Sequence, residues 1–458
     1  MGANANRQAV QKLRDCARSS GAFANFELLG SYDDFSQVVS IEYLDKDDFM
    51  GLLERFRLAR GSRGMQKAEL QANYEAIAKF YSTCAHELTH WLDHSSTLWG
   101  QKQLVLIYNA INAWTNQDEQ EFYRIVAANS ERQRARLATY YTEEYDTSTQ
   151  DTRTATWRYE YGSGLEFGID GKPRPDRPFV FTTFSNSGGQ RIIRVPFSMF
   201  ALTEATATYA ELKVKSQSLA FLDSDTRLVE QARLEQEFQR DLYDPKLAIY
   251  STATHCLANS IQLQDSFIAY EYSSALSTLC LNLPRSLYDH LLLPESFSDW
   301  GSRTQALREL ADPGFAFFAI ASQAPRYEDE MPVEQWLQGA VKSAGLPELV
   351  TIEALALSHI QQVRNEQIEG SYSDQAESLL SIGRDNFTQR GVWGRGVLCM
   401  EGMYSPSIRL PPVVLGDGHV TPVNPSNTCI NPQSIEKWID AIVGIESSAN
   451  KFVRACRY

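Results

Sequence analysis

One short stretch constrains this chain more than any other, the segment Tyr81–His94, which reads YSTCAHELTHWLDH. At its centre lie His86, Glu87 and His90, in the pattern HExxH. On an α-helix, residues four apart lie on one face about one turn apart. The two imidazoles can therefore converge on a single cation while Glu87 points toward a water beside it. The pattern predicts a helix with a metal site on one face.

The pattern is too rare to be explained by chance. With 7 His in the chain and its 57 acidic residues taken as an upper bound for Glu, a shuffled sequence contains HExxH on the order of 0.01 times. Apolar residues around the motif recur at three- and four-residue steps, which indicates a mostly buried helix. They are Ile77, Phe80, Tyr81, Cys84, Leu88, Trp91 and Leu92. Because buried imidazoles need partners, a metal is favoured over two satisfied polar residues at a helix surface.

A catalytic zinc takes three protein ligands and keeps a fourth position for water. Asp93 and His94 follow His86 by seven and eight residues, which is roughly 10–12 Å along an unbroken helix and too far for metal bonds of about 2 Å. The metzincin pattern is excluded because Asp93 and Ser96 stand where it requires Gly and His. We expect Asp93 either to orient an imidazole or to lie on the helix surface.

A second helix is predicted at Leu202–Leu212, which reads LTEATATYAEL. Thr203 is a plausible N-cap, and the small residues after Glu204 would let this helix lie close against another. A third metal ligand from a second helix requires such a close approach.

Together the two motifs resemble those of the gluzincin metallopeptidases, in which HExxH is followed by a helix with the pattern ExxA and a later acidic residue. Glu204-Ala205-Thr206-Ala207 resembles that second motif, and Glu211 stands in the place of the later acid. The resemblance covers 13 residues, and 113 residues separate His90 from Glu204, more than is common in the family. It implies that zinc is held by His86, His90 and Glu204, with Glu87 as catalytic base. Glu211 is the next choice for the third ligand.

The predicted fold is α+β and predominantly α, with a zincin-like catalytic core, a small antiparallel β insert and a helical C-terminal region. Three regions are predicted: residues 1–60 with a helix at Arg7–Arg18 and a strand at Ser36–Leu44, residues 61–283 as the core with the insert at about 147–197, and residues 284–458 as a mostly helical accessory region. In gluzincins, a strand upstream of the active-site helix commonly forms the edge on which extended substrate docks. Ser36–Leu44 is either that edge or an ordinary member of the sheet.

The amino-acid composition argues against two classes of binding partner, nucleic acids and membranes. The formal charge of −14 and a pI near 5.1 argue against a nucleic-acid-binding surface. The sequence shows neither an N-terminal apolar segment nor an apolar run long enough for a membrane. The seven cysteines have no paired spacing, which is typical of reduced thiols. We therefore expect a cytoplasmic protein that binds neither nucleic acid nor membrane.

These observations predict a zinc-dependent peptidase acting on a protein or peptide substrate. Glu87 would accept a proton from the attacking water and pass it to the leaving amine. Because no GxMEN motif of zinc aminopeptidases is present, an endopeptidase is preferred. Neither Tyr209 nor His255 is identified as a stabiliser of the transition state, and His255 is expected to be structural. Two alternatives stay open: a partner-binding protein with a structural or inactive zinc site, and a zinc hydrolase of a non-peptide amide.

Overall fold

A computed structural model describes residues 29–61, 66–145, 157–168, 170–395 and 398–456. The predicted helix Arg7–Arg18 lies outside these residues. The helices up to the middle of the chain are α1 Lys46–Gly61, α2 Gln66–Ser96, α3 Leu98–Thr115, α4 Glu119–Phe122, α5 Arg124–Tyr141, α6 Met199–Ser218, α7 Ser224–Leu242, α8 Ala248–Ile261 and α9 Ser266–Leu281. The later ones are α10 Arg285–Tyr288, α11 Ser302–Glu309, α12 Pro313–Ala321, α13 Val333–Ser343, α14 Leu349–Val363, α15 Ser373–Arg390 and α16 Pro432–Cys456.

The described strands form two small sheets. They are β1 Gly30–Asp33, β2 Val38–Ile41, β3 Glu143–Glu144, β4 Arg158–Phe167, β5 Pro173–Ser185, β6 Arg191–Phe197, β7 Val413–Leu415 and β8 Val420–Thr421. The first sheet has the order β1-β2-β7-β8, with β2 and β7 parallel and the other pairs antiparallel. The second has the order β3-β6-β5-β4 and is antiparallel throughout. The predicted α+β class, mainly helical with a small antiparallel insert, is confirmed.

Helix α2 runs through the centre of the hydrophobic core, as the spacing of its apolar residues predicts. Leu88 and Trp91 are fully buried. One continuous cluster of buried apolar residues extends along the chain from Phe35 to Val453. Strand β2, near the start of the chain, pairs with β7, near its end. All three regions predicted from the sequence therefore contribute to the same core.

Helix α6 packs along α2 and carries several small buried residues. Ala201, Ala205 and Ala207 are fully buried, so the two backbones can approach closely. The helix begins at Met199, with Ser198 as N-cap. The prediction of Thr203 as N-cap is therefore wrong, and its hydroxyl instead donates to the carbonyl of Phe200 one turn back.

The β insert accounts for part of the long separation between the two motifs. Its sheet packs mainly on α5, α8, α11 and α12, away from the contact between α2 and α6. The insert ends at Phe197, and the chain enters α6 two residues later. A long insertion can thus be accommodated without moving the two motif helices apart.

Strand β2 coincides with the centre of the predicted strand Ser36–Leu44 but is flanked on both sides, by β1 and β7. It is thus an ordinary sheet member and cannot accept a further strand. Of the strands that the structure describes, β1 forms the edge beside α2. The sequence does not predict β1, because GSYD has low β-propensity. In the part of the chain that the structure describes, no helix has the length and apolar content needed to span a bilayer.

Candidate metal centre

Three ligand atoms from α2 and α6 converge at one point. The Nε2 atoms of His86 and His90 are 3.2 Å apart. Oε2 of Glu204 lies 3.4 Å from the Nε2 of His86 and 3.6 Å from that of His90. The potential ligand atoms of the three residues all lie within 4.8 Å of one another. The three residues predicted as metal ligands are thus brought together, although two of them lie 113 residues or more from the third.

The chemistry of this donor set fits a transition-metal cation. Oε2 of Glu204 is buried and has no hydrogen-bond partner among the described residues. A buried carboxylate oxygen without a partner is costly, whereas a cation between it and two imidazole nitrogens would satisfy all three atoms. Two imidazoles and one carboxylate favour zinc over magnesium or calcium.

Glu211, almost two turns after Glu204 on α6, orients the first imidazole. Its Oε2 lies 3.1 Å from Nδ1 of His86, and its Oε1 is 2.6 Å from Nζ of Lys215. Because an ionised carboxylate only accepts hydrogen bonds, Nδ1 of His86 donates, and in the neutral ring this leaves the lone pair on Nε2 available to a cation. Glu211 therefore lies behind His86, one of the three candidate ligands, rather than among them.

The charges in the cluster shift its pKa values. Burial opposes ionisation of Glu204, yet the positive charge of His90 and the close approach of both imidazoles lower the pKa of Glu204 to about 2. Burial lowers the pKa of His86, but its contacts with Glu204 and Glu211 outweigh this effect and raise that pKa well above the usual value. Both pKa changes arise because carboxylates and imidazoles lie close together.

The motif is partly exposed, although it lies in the buried second half of α2. His86, Glu87 and His90 are partly exposed, whereas Ala85 and Leu88 beside them are fully buried. Glu87 lies against the backbone of β1: a Cβ atom placed on Gly30 would be 2.8 Å from Cγ of Glu87. Glycine is therefore required for this close approach. Burial raises the pKa of the Glu87 carboxyl.

Asp93 neither orients an imidazole nor lies on the surface, so both predictions for it are wrong. Its side chain is fully buried, with Oδ1 3.0 Å from Nη2 of Arg390 on α15. Oδ2 accepts a hydrogen bond from Oγ1 of Thr206 on α6. Arg390 also donates from Nη1 to Oγ of Ser96, at 2.8 Å. This network joins α2, α6 and α15, and Thr206 lies two residues from Glu204.

Tyr250 is a site residue that the sequence did not reveal. It lies on α8 with its ring centroid 6.5 Å from that of His86. Its pKa is raised well above the usual value by burial, and then by the negative charges of Glu204, Glu87 and Glu211. As one Tyr at the start of an apolar helix, it carries no motif that could have identified it. Tyr209 lies elsewhere, in a separate cluster with Leu212, Leu242 and Tyr270.

His255 packs as a core residue, in keeping with its predicted structural role. Its ring stacks on Trp157 with centroids 5.0 Å apart, and Nε2 donates to the carbonyl of Leu242 at 2.8 Å. Burial lowers its pKa to about 4.

We expect His255 to make the protein acid-sensitive. The ring stays neutral in the folded state down to pH about 4 but titrates near 6.5 when unfolded. Protons therefore bind preferentially to the unfolded chain between these values, and stability falls by up to about 3 kcal/mol as the pH drops from 6.5 to 4. Urea denaturation across this range should show a flatter pH dependence for His255→Phe. The same change at the exposed His290 should leave the slope unaltered, and equal slopes for His255→Phe and wild type would contradict the prediction.

The chain matches no protein-family model, no curated protein and no solved structure at a significant level.

Proposed function

We propose that this protein is a zinc-dependent peptidase with a gluzincin-like, zincin-type core. The observation that carries the proposal is the convergence of two imidazole nitrogens and an unpartnered buried carboxylate oxygen beside a partly exposed glutamate. His86, His90 and Glu204 would hold the metal, and Glu87 would act as general base. A cytoplasmic location remains part of the proposal.

Bound zinc supplies a Lewis acid that lowers the pKa of water and polarises a carbonyl group. The chain's own residues perform the remaining tasks. Glu87, held between His86 on its own helix and the backbone of Gly30, takes a proton from water and returns it to the leaving amine. Glu211 and Lys215 keep the ring of His86 in one orientation and one tautomer.

Strand β1 offers a way to bind an extended peptide. Among the described strands it forms the edge of its sheet, and it lies against Glu87 through Gly30. A peptide added to this edge by main-chain hydrogen bonds would lie across the partly exposed motif that contains Glu87. This arrangement supports a peptide substrate over a small non-peptide amide, and favours cleavage within a chain.

Tyr250 is suited to stabilise negative charge on the substrate oxygen. Its ring lies beside His86, and the hydroxyl of Tyr270 donates to its backbone carbonyl at 3.1 Å. A high pKa keeps the Tyr250 hydroxyl protonated at neutral pH, so that it can donate a hydrogen bond to a developing oxyanion.

Purified protein should carry close to one zinc per chain. Of the three variants Glu204→Ala, Glu211→Ala and Glu235→Ala, the first should reduce zinc affinity most. The reason is that this change removes a ligand, whereas Glu211→Ala removes only the partner of one ligand and should cost about 10–100-fold. Glu235→Ala, at an exposed position on α7, is the control and should change nothing. Competition with a fluorescent chelator measures the affinities. Normal zinc affinity in Glu204→Ala would exclude Glu204 as the third ligand.

The function itself is tested by incubating the zinc-loaded protein with a library of unstructured peptides and identifying products by mass spectrometry. We expect internal cleavage that stops with a chelator and resumes when zinc is added back. Terminal trimming would indicate an exopeptidase. If zinc binds but no peptide is cut, the alternatives of a structural zinc site or a non-peptide amide substrate would be favoured.

A further inference from the structure

Tyr32, on β1, lies against the imidazole of His90. The two rings are nearly parallel, with an interplanar angle of 17° and centroids 6.4 Å apart. This is the geometry of an offset stack, within the range in which aromatic pairs attract each other. His86 lies instead against the carboxylate of Glu211. The two imidazoles of the metal centre therefore have different neighbours, one a carboxylate and the other an aromatic ring.

The same face of β1 contacts the motif at a second point. Because side chains alternate along a strand, Gly30 and Tyr32 lie on one face of β1. Gly30 lies against Cγ of Glu87, three residues before His90 on α2. A strand of only four residues thus contacts both the proposed general base and a proposed metal ligand.

The turn that follows β1 holds Tyr32 in place. The hydroxyl of Tyr32 donates a hydrogen bond to Oε1 of Gln37 at 2.7 Å. Nε2 of Gln37 in turn donates to the carbonyl of Asp34 at 2.5 Å. Gln37 is buried and has a φ of 61°, a left-handed conformation that glycine or asparagine adopts more readily. The side chain gives a reason for glutamine at this position, because it fixes the Tyr32 hydroxyl.

The ring of Tyr32 has a second neighbour on α2. The imidazole of His94 lies with its centroid 5.1 Å from that of Tyr32. His94 packs in turn against Trp99, with centroids 4.9 Å apart, and its Nδ1 donates to the carbonyl of His90 at 3.2 Å. Contacts with two imidazoles, together with the hydrogen bond to Gln37, leave the ring of Tyr32 little freedom to rotate.

A metal ligand has to be oriented before it can bind well. Bonds between zinc and imidazole nitrogens are about 2 Å long, and a side chain already held in its binding orientation loses less conformational entropy when the metal binds. We propose that Tyr32 is a positioning residue for the metal centre, whose stack keeps Nε2 of His90 directed at the ligand atoms of His86 and Glu204. This inference rests on the metal site of the proposed function but not on peptide cleavage.

Zinc affinity of the full chain, measured by competition with a fluorescent chelator, tests the proposal. Tyr32→Leu removes the ring and should lower the affinity roughly 2–10-fold, the range expected for one aromatic contact. Tyr32→Met, which fills more of the vacated space, should show the same loss, whereas Tyr32→Phe keeps the ring and should stay close to wild type. In the His90→Ala background, Tyr32→Leu should cost nothing further, because no imidazole remains to be oriented.

Cobalt(II) in place of zinc gives a second readout, because its visible absorption reports the geometry of the ligands. Tyr32→Leu should alter this spectrum, and Tyr32→Phe should not. Tyr161→Leu is the matched control: Tyr161 is also partly exposed and packs on aromatic rings, but it lies on β4, in the sheet that packs away from α2 and α6. Its zinc affinity should equal that of wild type. Melting temperatures show that each variant is folded.

Two results would overturn the proposal. One is equal zinc affinity for Tyr32→Leu and Tyr161→Leu, and the other is the same loss from Tyr32→Leu in the His90→Ala background as in wild type. A wild-type protein that binds zinc but cuts no peptide would contradict the proposed function alone, whereas a wild-type protein that binds no zinc would contradict both.

Discussion

Replacing Glu87 by glutamine should reduce peptide hydrolysis by roughly 10²–10⁴-fold while zinc stays bound. Glutamine keeps the shape of the side chain, so it fits against Gly30 as glutamate does. It removes the group that accepts a proton from water, but leaves His86, His90 and Glu204 in place. The substitution should therefore lower the rate of peptide cleavage and leave the zinc content unchanged.

Zinc occupancy and cleavage of one peptide should be measured on wild type, Glu87→Gln and Glu204→Ala side by side. Excess zinc should partly restore Glu204→Ala, because its defect is metal affinity, and should not restore Glu87→Gln. Undiminished cleavage by Glu87→Gln would rule out the proposed mechanism, whereas a loss of zinc in that variant would mean that the change had disturbed the site itself.

Replacing Arg390 by methionine should have the second large effect, a loss of folding stability. This change leaves Asp93 buried without its partner, at a cost of about 3–5 kcal/mol of stability. Asp93→Asn combined with Arg390→Met should recover part of the loss, because no unpaired charge remains. Zinc affinity should fall as well, since Thr206 links Asp93 to the helix that carries Glu204.

Denaturant unfolding followed by tryptophan fluorescence measures these losses. Arg384→Met is the matched control on α15, because Arg384 is partly exposed and pairs with its exposed neighbour Asp385 at 3.5 Å. Such surface pairs contribute at most about 1 kcal/mol. Equal midpoints for Arg390→Met and Arg384→Met would show that the buried pair does not hold the helices together.

The sequence reveals those parts of the site that depend on local periodicity. His86 and His90 are four residues apart, and a helix alone brings their rings together. Glu204 could be recognised because it opens a second short pattern, and the structure brings its carboxylate to both imidazoles. The sequence predicts the insert at about residues 147–197, and strands β4, β5 and β6 lie within that range.

Other features depend on contacts that no local pattern records. Asp93 has the spacing of a residue that could orient an imidazole, yet its partner Arg390 lies 297 residues away. No sequence pattern around either residue predicts that pairing. The position of Tyr250 beside His86 depends on how distant segments pack, and a single Tyr forms no pattern that would predict it. The same holds for the edge position of β1, which has only four residues.

The ion pair between Arg390 and Asp93 also implies an order of events during synthesis. The two residues are 297 positions apart, so at about 5–20 residues per second the ribosome adds Arg390 roughly 15–60 s after Asp93. Until then, Asp93 has no cationic partner, and burying it between α2 and α6 is penalised. We therefore expect nascent chains that stop before α15 to bind zinc poorly, so that the centre matures only when the last third of the protein has been made.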